Sequence, residues 1–307
     1  MILQSTILSY TMTKIIQKLK DYQQLMKLNL SMLVVFSSVV GYVIFPELKV
    51  EWRNVLLLFI GGLLVTASAN ATNELIEKNT DKLMKRTMTR PLPDSRMGII
   101  EVCSFIVITL AIGLFILAKN FNYSSALIAF ISFLMYSFVY TPLKRISSIS
   151  VLVGAIPGSL PCLIGWSAAT ETGHIWSWPA WTLFIIQFFW QFPHFWSIAW
   201  IAHEDYERAG MKMLPREGKI GYFTAFQCVL YSAILIPLSA LPMVVELGGI
   251  ISVVGLGLAG LWMLYNSIQF LKDNSDTKAR QVMFSSFVYL PVVLITLVID
   301  KYIYFYG

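Results

Sequence analysis

Apolar residues along the chain gather into long runs separated by short polar stretches, the pattern of a polypeptide that crosses hydrocarbon repeatedly. Nine such runs can be drawn, over residues 30–45, 55–71, 99–118, 124–140, 151–169, 181–201, 222–244, 249–271 and 283–304. The period-two alternation of an outer-membrane barrel is missing, and lipid otherwise tolerates only helices, because every backbone polar group must be satisfied within its own span. The predicted fold class is therefore all-α: a polytopic membrane protein with nine transmembrane helices in one domain, residues 30–307. In the segment 1–29, Ile15, Ile16, Leu19, Tyr22 and Met26 recur at helical spacing beside Lys14, Lys18 and Lys20, which predicts an amphipathic helix lying on the membrane surface.

Composition agrees with the pattern: 57% of residues are hydrophobic and 13% charged, which excludes a soluble globular protein. The charges settle an expected orientation. All of the 23 lysines and arginines except Lys49, Arg53, Lys119 and Lys301 fall in the amino-terminal segment or in loops on its side of the membrane. Basic residues stay cytoplasmic. The amino terminus and the long loops are therefore expected in the cytoplasm, and the carboxyl terminus, after an odd number of crossings, outside. The net charge of +6 is then a topology signal and points to no nucleic-acid partner. No cleavable signal peptide or transit peptide is recognisable, which favours a bacterial inner-membrane protein. Cys103, Cys162 and Cys228 stand singly in apolar spans and read as small core residues, not as a metal or disulfide framework.

The chemistry-bearing residues concentrate in two long cytoplasmic loops, 73–97 and 203–219. Asn73, Glu77 and Asp81 are spaced i, i+4, i+8, which stacks three oxygen-bearing side chains along one helix face. Such hard ligands suit magnesium, which also contacts substrate phosphates. Lys85, Arg86 and Arg90 follow and could neutralise a diphosphate. The plainer alternative is a set of ordinary loop charges paired with Lys78 or Lys85. Ionisable residues at a membrane helix end favour the functional reading.

The second loop has similar parts: Glu204 and Asp205, then Lys212 and Leu214-Pro215, echoing the order acid, base, Leu-Pro of 81–93. Two acidic loops facing each other could hold two magnesium ions across one diphosphate. His194 ends an aromatic-rich span and reads equally well as structural or functional, whereas His174 and His203 read as surface residues. Trp190, Trp196 and Trp200 form either an interfacial belt or the wall of a cavity that stabilises a carbocation. Tyr140-Thr141-Pro142-Leu143-Lys144-Arg145 ends another span on the same side with two more cations. Gly154, Pro157, Gly158, Pro161 and Gly165 punctuate the fifth span, where small residues permit close helix approach.

With these residues the chain resembles the UbiA-type intramembrane prenyltransferases, and among them the branch that farnesylates haem, over residues 22–304. The resemblance rests on three stretches: Asn73-x-x-x-Glu77-x-x-x-Asp81 running into Met84-Lys85-Arg86-Thr87-x-x-Arg90-Pro91-Leu92-Pro93; Gly154-Ala155-Ile156-Pro157-Gly158 to Gly165-Trp166; and Pro193-His194-Phe195-Trp196 to Asp205-Tyr206-x-x-Ala209-Gly210-x-x-Met213-Leu214-Pro215. Two departures are visible: Glu77 where the family often has Asp, and Lys27-Leu28-Asn29 where Lys-Pro-Arg is frequent. The resemblance implies a helical bundle whose central cavity opens sideways to lipid, Mg2+ as cofactor, and farnesyl diphosphate and haem b as substrates. It also implies handover to a haem A synthase or oxidase assembly factors. By the same resemblance Asn73, Glu77, Asp81 and Asp205, with Glu204, serve the metal. Lys85, Arg86, Arg90, Lys144 and Lys212 serve the diphosphate, and His194, Trp190, Trp196 and Tyr140 serve the haem or prenyl group. A quinone-pathway aromatic prenyltransferase, and more distantly a non-catalytic transporter or haem carrier, stay open as alternatives.

Overall fold

The computed structural model describes residues 2–46, 48–216 and 220–306; Lys219, counted among the basic loop residues, lies outside them. Among the described residues all regular structure is helical, without a strand. In chain order the helices are α1 (Ile2–Leu25), α2 (Leu28–Val43), α3 (Trp52–Asp81), α4 (Ile99–Asn120), α5 (Tyr123–Leu134), a π-helical stretch (Met135–Tyr140) running into the short α6 (Thr141–Leu143), and α7 (Ser150–Ala168). They continue as α8 (Trp178–Ile201), α9 (His203–Arg208), α10 (Tyr222–Leu238), α11 (Leu241–Val244), α12 (Ile250–Lys272) and α13 (Asp276–Tyr306). The long helices pack in sequence around a ring that closes where α13 returns to α2, with α7 also lying against α2 and α8 against α13.

Each of the nine predicted runs falls on helical structure, 124–140 on α5 with the π-helical stretch and 222–244 on α10 with α11. By length and apolar composition alone, however, seven of the described helices can cross a membrane, or eight if Met12–Leu25 and α2, bent by 49° at their junction, make one span. The expected count of nine is not reached on that criterion, because α8 is long enough but carries Gln187, Gln191, Pro193 and His194 among its aromatic residues. The outer surface is apolar: Val107, Ile108, Phe115, Leu127, Leu258 and Phe284 are exposed, the arrangement that lipid stabilises and water does not. This is a multi-pass membrane protein. One expectation for the interior fails: Cys162 and Cys228 are buried, but Cys103 lies on the exposed face of α4.

Two features of this packing position the site. The 30 residues of α3 span about 45 Å, longer than a hydrocarbon core of about 30 Å, which leaves length for its last turns, from Asn73 to Asp81, to stand beyond it. Against α2, α7 approaches so closely that a methyl group added at Gly165 would overlap the Ser38 carbonyl oxygen, and one at Gly41 that of Cys162. Small residues are required at both crossings.

Candidate active site

The three oxygen-bearing residues of α3 do share one face, and all are buried. The Asn73 amide donates to Glu77 Oε2 at 2.9 Å and to Thr141 Oγ1 at 3.1 Å, while its carbonyl oxygen accepts from Lys27 Nζ at 2.7 Å. Glu77 Oε1 pairs with Lys144 Nζ at 2.5 Å, and Asp81 Oδ2 with Arg90 Nη1 at 2.8 Å. Burial acts against the Lys144 ammonium, but the facing Glu77 outweighs it and holds the group above its ordinary value. Lys144 is therefore a fixed positive charge.

The local sequence explains how Lys144 reaches the carboxylate. Pro142 has no N–H to give to the carbonyl four residues back, and its ring crowds that carbonyl. The turn before it widens into the π-helical stretch, where the Thr141 hydroxyl donates to the Tyr136 carbonyl at 2.8 Å. Tyr136 and Tyr140 then face inward with ring centroids 5.4 Å apart, and Lys144 lies 4.9 Å over the Tyr140 ring.

The two loops dock on each other. Asp205 accepts from the backbone N–H groups of Lys85, at 3.1 Å, and Arg86, at 3.3 Å, and also pairs with Arg208. Desolvation raises the Asp205 carboxyl, but those two amides and Arg208 outweigh it and hold the group below its ordinary range. Arg86 donates to the Tyr206 hydroxyl at 3.2 Å, and the Lys212 backbone N–H donates to the Lys144 carbonyl at 2.7 Å. Asp205 thus ties the loops together instead of joining Glu77 and Asp81. Glu204 is exposed and stands outside the cluster, and the Lys85 and Lys212 side chains are exposed as well.

Beneath this polar cluster lies a cavity of about 250 Å³. Asn70, one turn below Asn73, lines it together with Tyr136, Tyr140, Trp190, Gln191 and His194. Its other walls are mostly aliphatic and aromatic. Leu30 and Leu33 of α2 and Phe287 of α13 line it and are exposed, so the cavity reaches the outer surface between those helices. Gly154 admits the Tyr140 ring against α7, where a Cβ would strike it. Of the three tryptophans, Trp190 alone lines the cavity. Trp196 is turned away and packs on Phe192 and Tyr231, so its expected place at a haem or prenyl group is not met. Trp200 is buried against Phe270 and donates to Asp276 at 3.0 Å. His174 and His203 make only local contacts, with the Trp176 carbonyl and Glu207.

Among the described residues no group of three or more His, Cys, Asp and Glu side chains converges as a metal cage. Magnesium needs less, one or two carboxylates completed by waters and phosphates. Glu77 and Asp81 with the Asn73 carbonyl meet that requirement, and Asp81 Oδ1 is buried without a partner, an oxygen left available to a cation. Sequence reasoning missed Lys27, Thr141 and Tyr136 in this cluster. Only the Thr-Pro dipeptide before Lys144 hinted at the local rearrangement that brings two of them in.

Residues 34–288 match the model of the UbiA prenyltransferase family. The chain is 42% identical over 283 residues to a protoheme IX farnesyltransferase of Cytophaga hutchinsonii, covering 91% of this chain and 97% of that one. Among solved structures it is similar to a digeranylgeranylglyceryl phosphate synthase, with a TM-score of 0.75 and 20% identity over 93% of this chain and 99% of that chain. It is also similar to a UbiA homologue from Archaeoglobus fulgidus bound to GPP and Mg2+, with a TM-score of 0.67 and 15% identity over 90% and 99%. At such identities the structural likeness shows the fold.

Proposed function

The chain belongs to the UbiA prenyltransferase family, and from that premise we propose that it transfers a farnesyl group from farnesyl diphosphate to a vinyl carbon of haem b, the activity of a haem O synthase. The observation that carries the reading is the stacking of a buried cluster of acids and bases directly on an apolar cavity, with Tyr140 belonging to both. A prenyl diphosphate has that same division, an anionic head and a hydrocarbon tail. The relative at 42% identity is named for protoheme IX, which supports haem as the acceptor over a phenolic acid.

Asn73, Glu77 and Asp81 would hold magnesium, whose charge, when bound, favours departure of the diphosphate. Lys144 and Arg90, with Lys85 and Arg86 at the loop surface, neutralise the diphosphate oxygens. Cleavage of the allylic C–O bond sends its electron pair to the diphosphate and leaves a farnesyl cation beside the π faces of Tyr140 and Trp190. The vinyl group of haem b supplies the electrons of the new C–C bond. The cation left next to the porphyrin ring takes hydroxide from water and releases a proton, giving the hydroxyethylfarnesyl side chain. The apolar cavity keeps water from the farnesyl cation until that bond has formed. The setting is a bacterial inner membrane, with both loops on the cytoplasmic side and the product passed to a haem-processing partner.

The test is incubation of the purified protein in nanodiscs with haem b, farnesyl diphosphate and magnesium, with and without chelator, followed by mass spectrometry of extracted haems. A chelator-sensitive hydroxyethylfarnesyl haem is expected, and Asp81→Asn should lower its rate by roughly 10²- to 10³-fold, the usual effect of removing one electrostatic stabiliser. Farnesylation of a phenolic acid or naphthoate with no haem product would move the enzyme to quinone synthesis.

A further inference from the structure

Near the loop joining α12 and α13 the bundle has a second pocket, on its outer surface and sharing no residue with the cavity. Trp262 and Asn266 of α12 and Thr277, Arg280, Gln281 and Phe284 of α13 line it. Trp200, near the end of α8, donates to Asp276 in the first turn of α13, so the rim of the pocket stands at the end of the bundle where the two polar loops dock. Its chemistry changes with depth. Arg280 lies four residues into α13 and Phe284 one turn further, while Trp262 is ten residues, about 15 Å, from the end of α12. The rim is therefore cationic and the floor aromatic, where Trp262 and Phe284 meet edge to face at 6.2 Å. Both rings are also exposed on the apolar surface that lipid covers.

The polar groups of this pocket lack partners. Arg280 pairs with no carboxylate and makes no hydrogen bond among the described residues. The two acids of the joining segment are engaged elsewhere, Asp273 with the Ser275 hydroxyl and Asp276 with Trp200, each at 3.0 Å. Lys278 brings a second cation to the rim, its Nζ donating to Gln281 Oε1 at 3.2 Å. Level with Gln281, the side chain of Asn266 is only 7% exposed; its amide gives one proton to the Trp262 carbonyl at 2.9 Å, and its side-chain oxygen has no donor among the described residues. A buried oxygen in that position calls for a hydroxyl or another donor. We propose that the pocket holds one anionic phospholipid with a hydroxyl-bearing head, a phosphatidylglycerol. Arg280, with its paired donors, and Lys278 take the phosphodiester, Asn266 accepts from a head-group hydroxyl, and an acyl chain runs down past Trp262 and Phe284. A zwitterionic lipid fits less well, because its ammonium group would meet two cations.

Native mass spectrometry of the full-length protein, released from nanodiscs of equal parts dioleoyl phosphatidylglycerol and dioleoyl phosphatidylethanolamine, tests the site. One phosphatidylglycerol should stay bound after the surrounding lipids have been stripped. Arg280→Gln should lower its retention roughly fivefold, the contribution of one basic residue at an anionic surface, and Arg280→Lys should lie between the two. Phosphatidylmethanol, equally anionic but without head-group hydroxyls, should be held less well than phosphatidylglycerol by the native protein and equally well by Asn266→Leu. The proposal is overturned if phosphatidylethanolamine is retained as well as phosphatidylglycerol, if neither survives stripping, or if Arg280→Gln leaves retention unchanged. Displacement of the bound lipid by an excess of soluble glycerol 3-phosphate would also overturn it, by making the pocket a site for a free phosphate ester. The comparison of lipids on the native protein decides the matter should a variant fail to fold.

Discussion

A carboxylate taken out of water must find a cation or a proton, and in this site the acids and bases are buried as partners. Glu77 and Lys144 form a pair in which both side chains are nearly inaccessible to solvent. Lys144→Met should therefore destabilise the protein by about 3–5 kcal/mol, because it leaves Glu77 buried without its partner. Adding Glu77→Gln should recover most of that loss while activity stays absent. Thermal unfolding in detergent checks it; equal stability of the single and double variants would mean that the pair contributes nothing. Asp205 makes the pH-dependent contact. Its carboxyl is held low in the folded protein, so the loop contact is fully present above the ordinary carboxylate range and is lost as pH falls through the lowered value. Hydrogen exchange at the Lys85 and Arg86 amides should be slow at neutral pH and quicken only under strong acid. In Asp205→Asn it should already be fast at neutral pH, and unchanged protection there would separate Asp205 from the loop contact. These residues also mark what the sequence discloses. Asn73, Glu77 and Asp81 are legible because helical spacing alone aligns them. Lys27 and Thr141 are not, because 46 and 68 residues separate them from Asn73 and only the tertiary fold closes those gaps. Glu204 and Trp196 misled for the complementary reason: adjacency to Asp205 and His194 in sequence sets neither one's direction.

Among the elements, α7 forms one wall of the cavity. Its glycines allow α2 and the Tyr140 ring to approach, and Gly158 leaves room for the Gln191 amide, which donates to the Ala155 carbonyl and Ser159 hydroxyl of the same helix. Gly165→Ala should destabilise by roughly 1–3 kcal/mol, the common effect of overpacking, because the overlap is with backbone that cannot rotate away. Gly257→Ala on α12, whose added methyl would meet only Ser239 Oγ at 3.6 Å, serves as the control and should change stability little. Comparable unfolding temperatures for the two variants would remove the close crossing as a determinant of the fold. The small-residue stripe of α7 was visible in sequence, but its partner was not. Neither was the π-helical widening before Pro142, since a proline near a helix end ordinarily signals a stop. The carboxyl-terminal helix gives a similar lesson. Lys301 looks like an outer loop charge, yet it is buried and donates to the Val43 and Phe45 carbonyls at the end of α2, while Asp300 accepts from the Gly249 and Ser252 amides at the start of α12. Each charge meets the helix terminus of opposite sign.

For the whole molecule the open quantity is the number of crossings, and it turns on α8. Its 24 residues extend about 36 Å, enough to cross hydrocarbon, and its low hydropathy has a local cause. Gln191 is directed into α7 and His194 into α13, so the polar groups are turned toward protein and away from lipid. Hydropathy averages over all faces of a helix and therefore undercounts one whose polar side chains line a cavity. With α8 added to the eight spans that length and composition allow, the total reaches the expected nine, and we propose on that count that the two ends of the chain lie on opposite sides of the membrane. Fusions of a cytoplasm-active reporter to the amino terminus and of a periplasm-active reporter to the carboxyl terminus should both be functional, and the reversed pair silent. Both ends reporting from the cytoplasm would mean that one helix enters and leaves by the same face. If α8 is that helix, the cavity it lines would open at the membrane surface. An odd count, with α8 a full span, would keep the cavity at depth and shielded from water, as the proposed chemistry of a prenyl diphosphate requires.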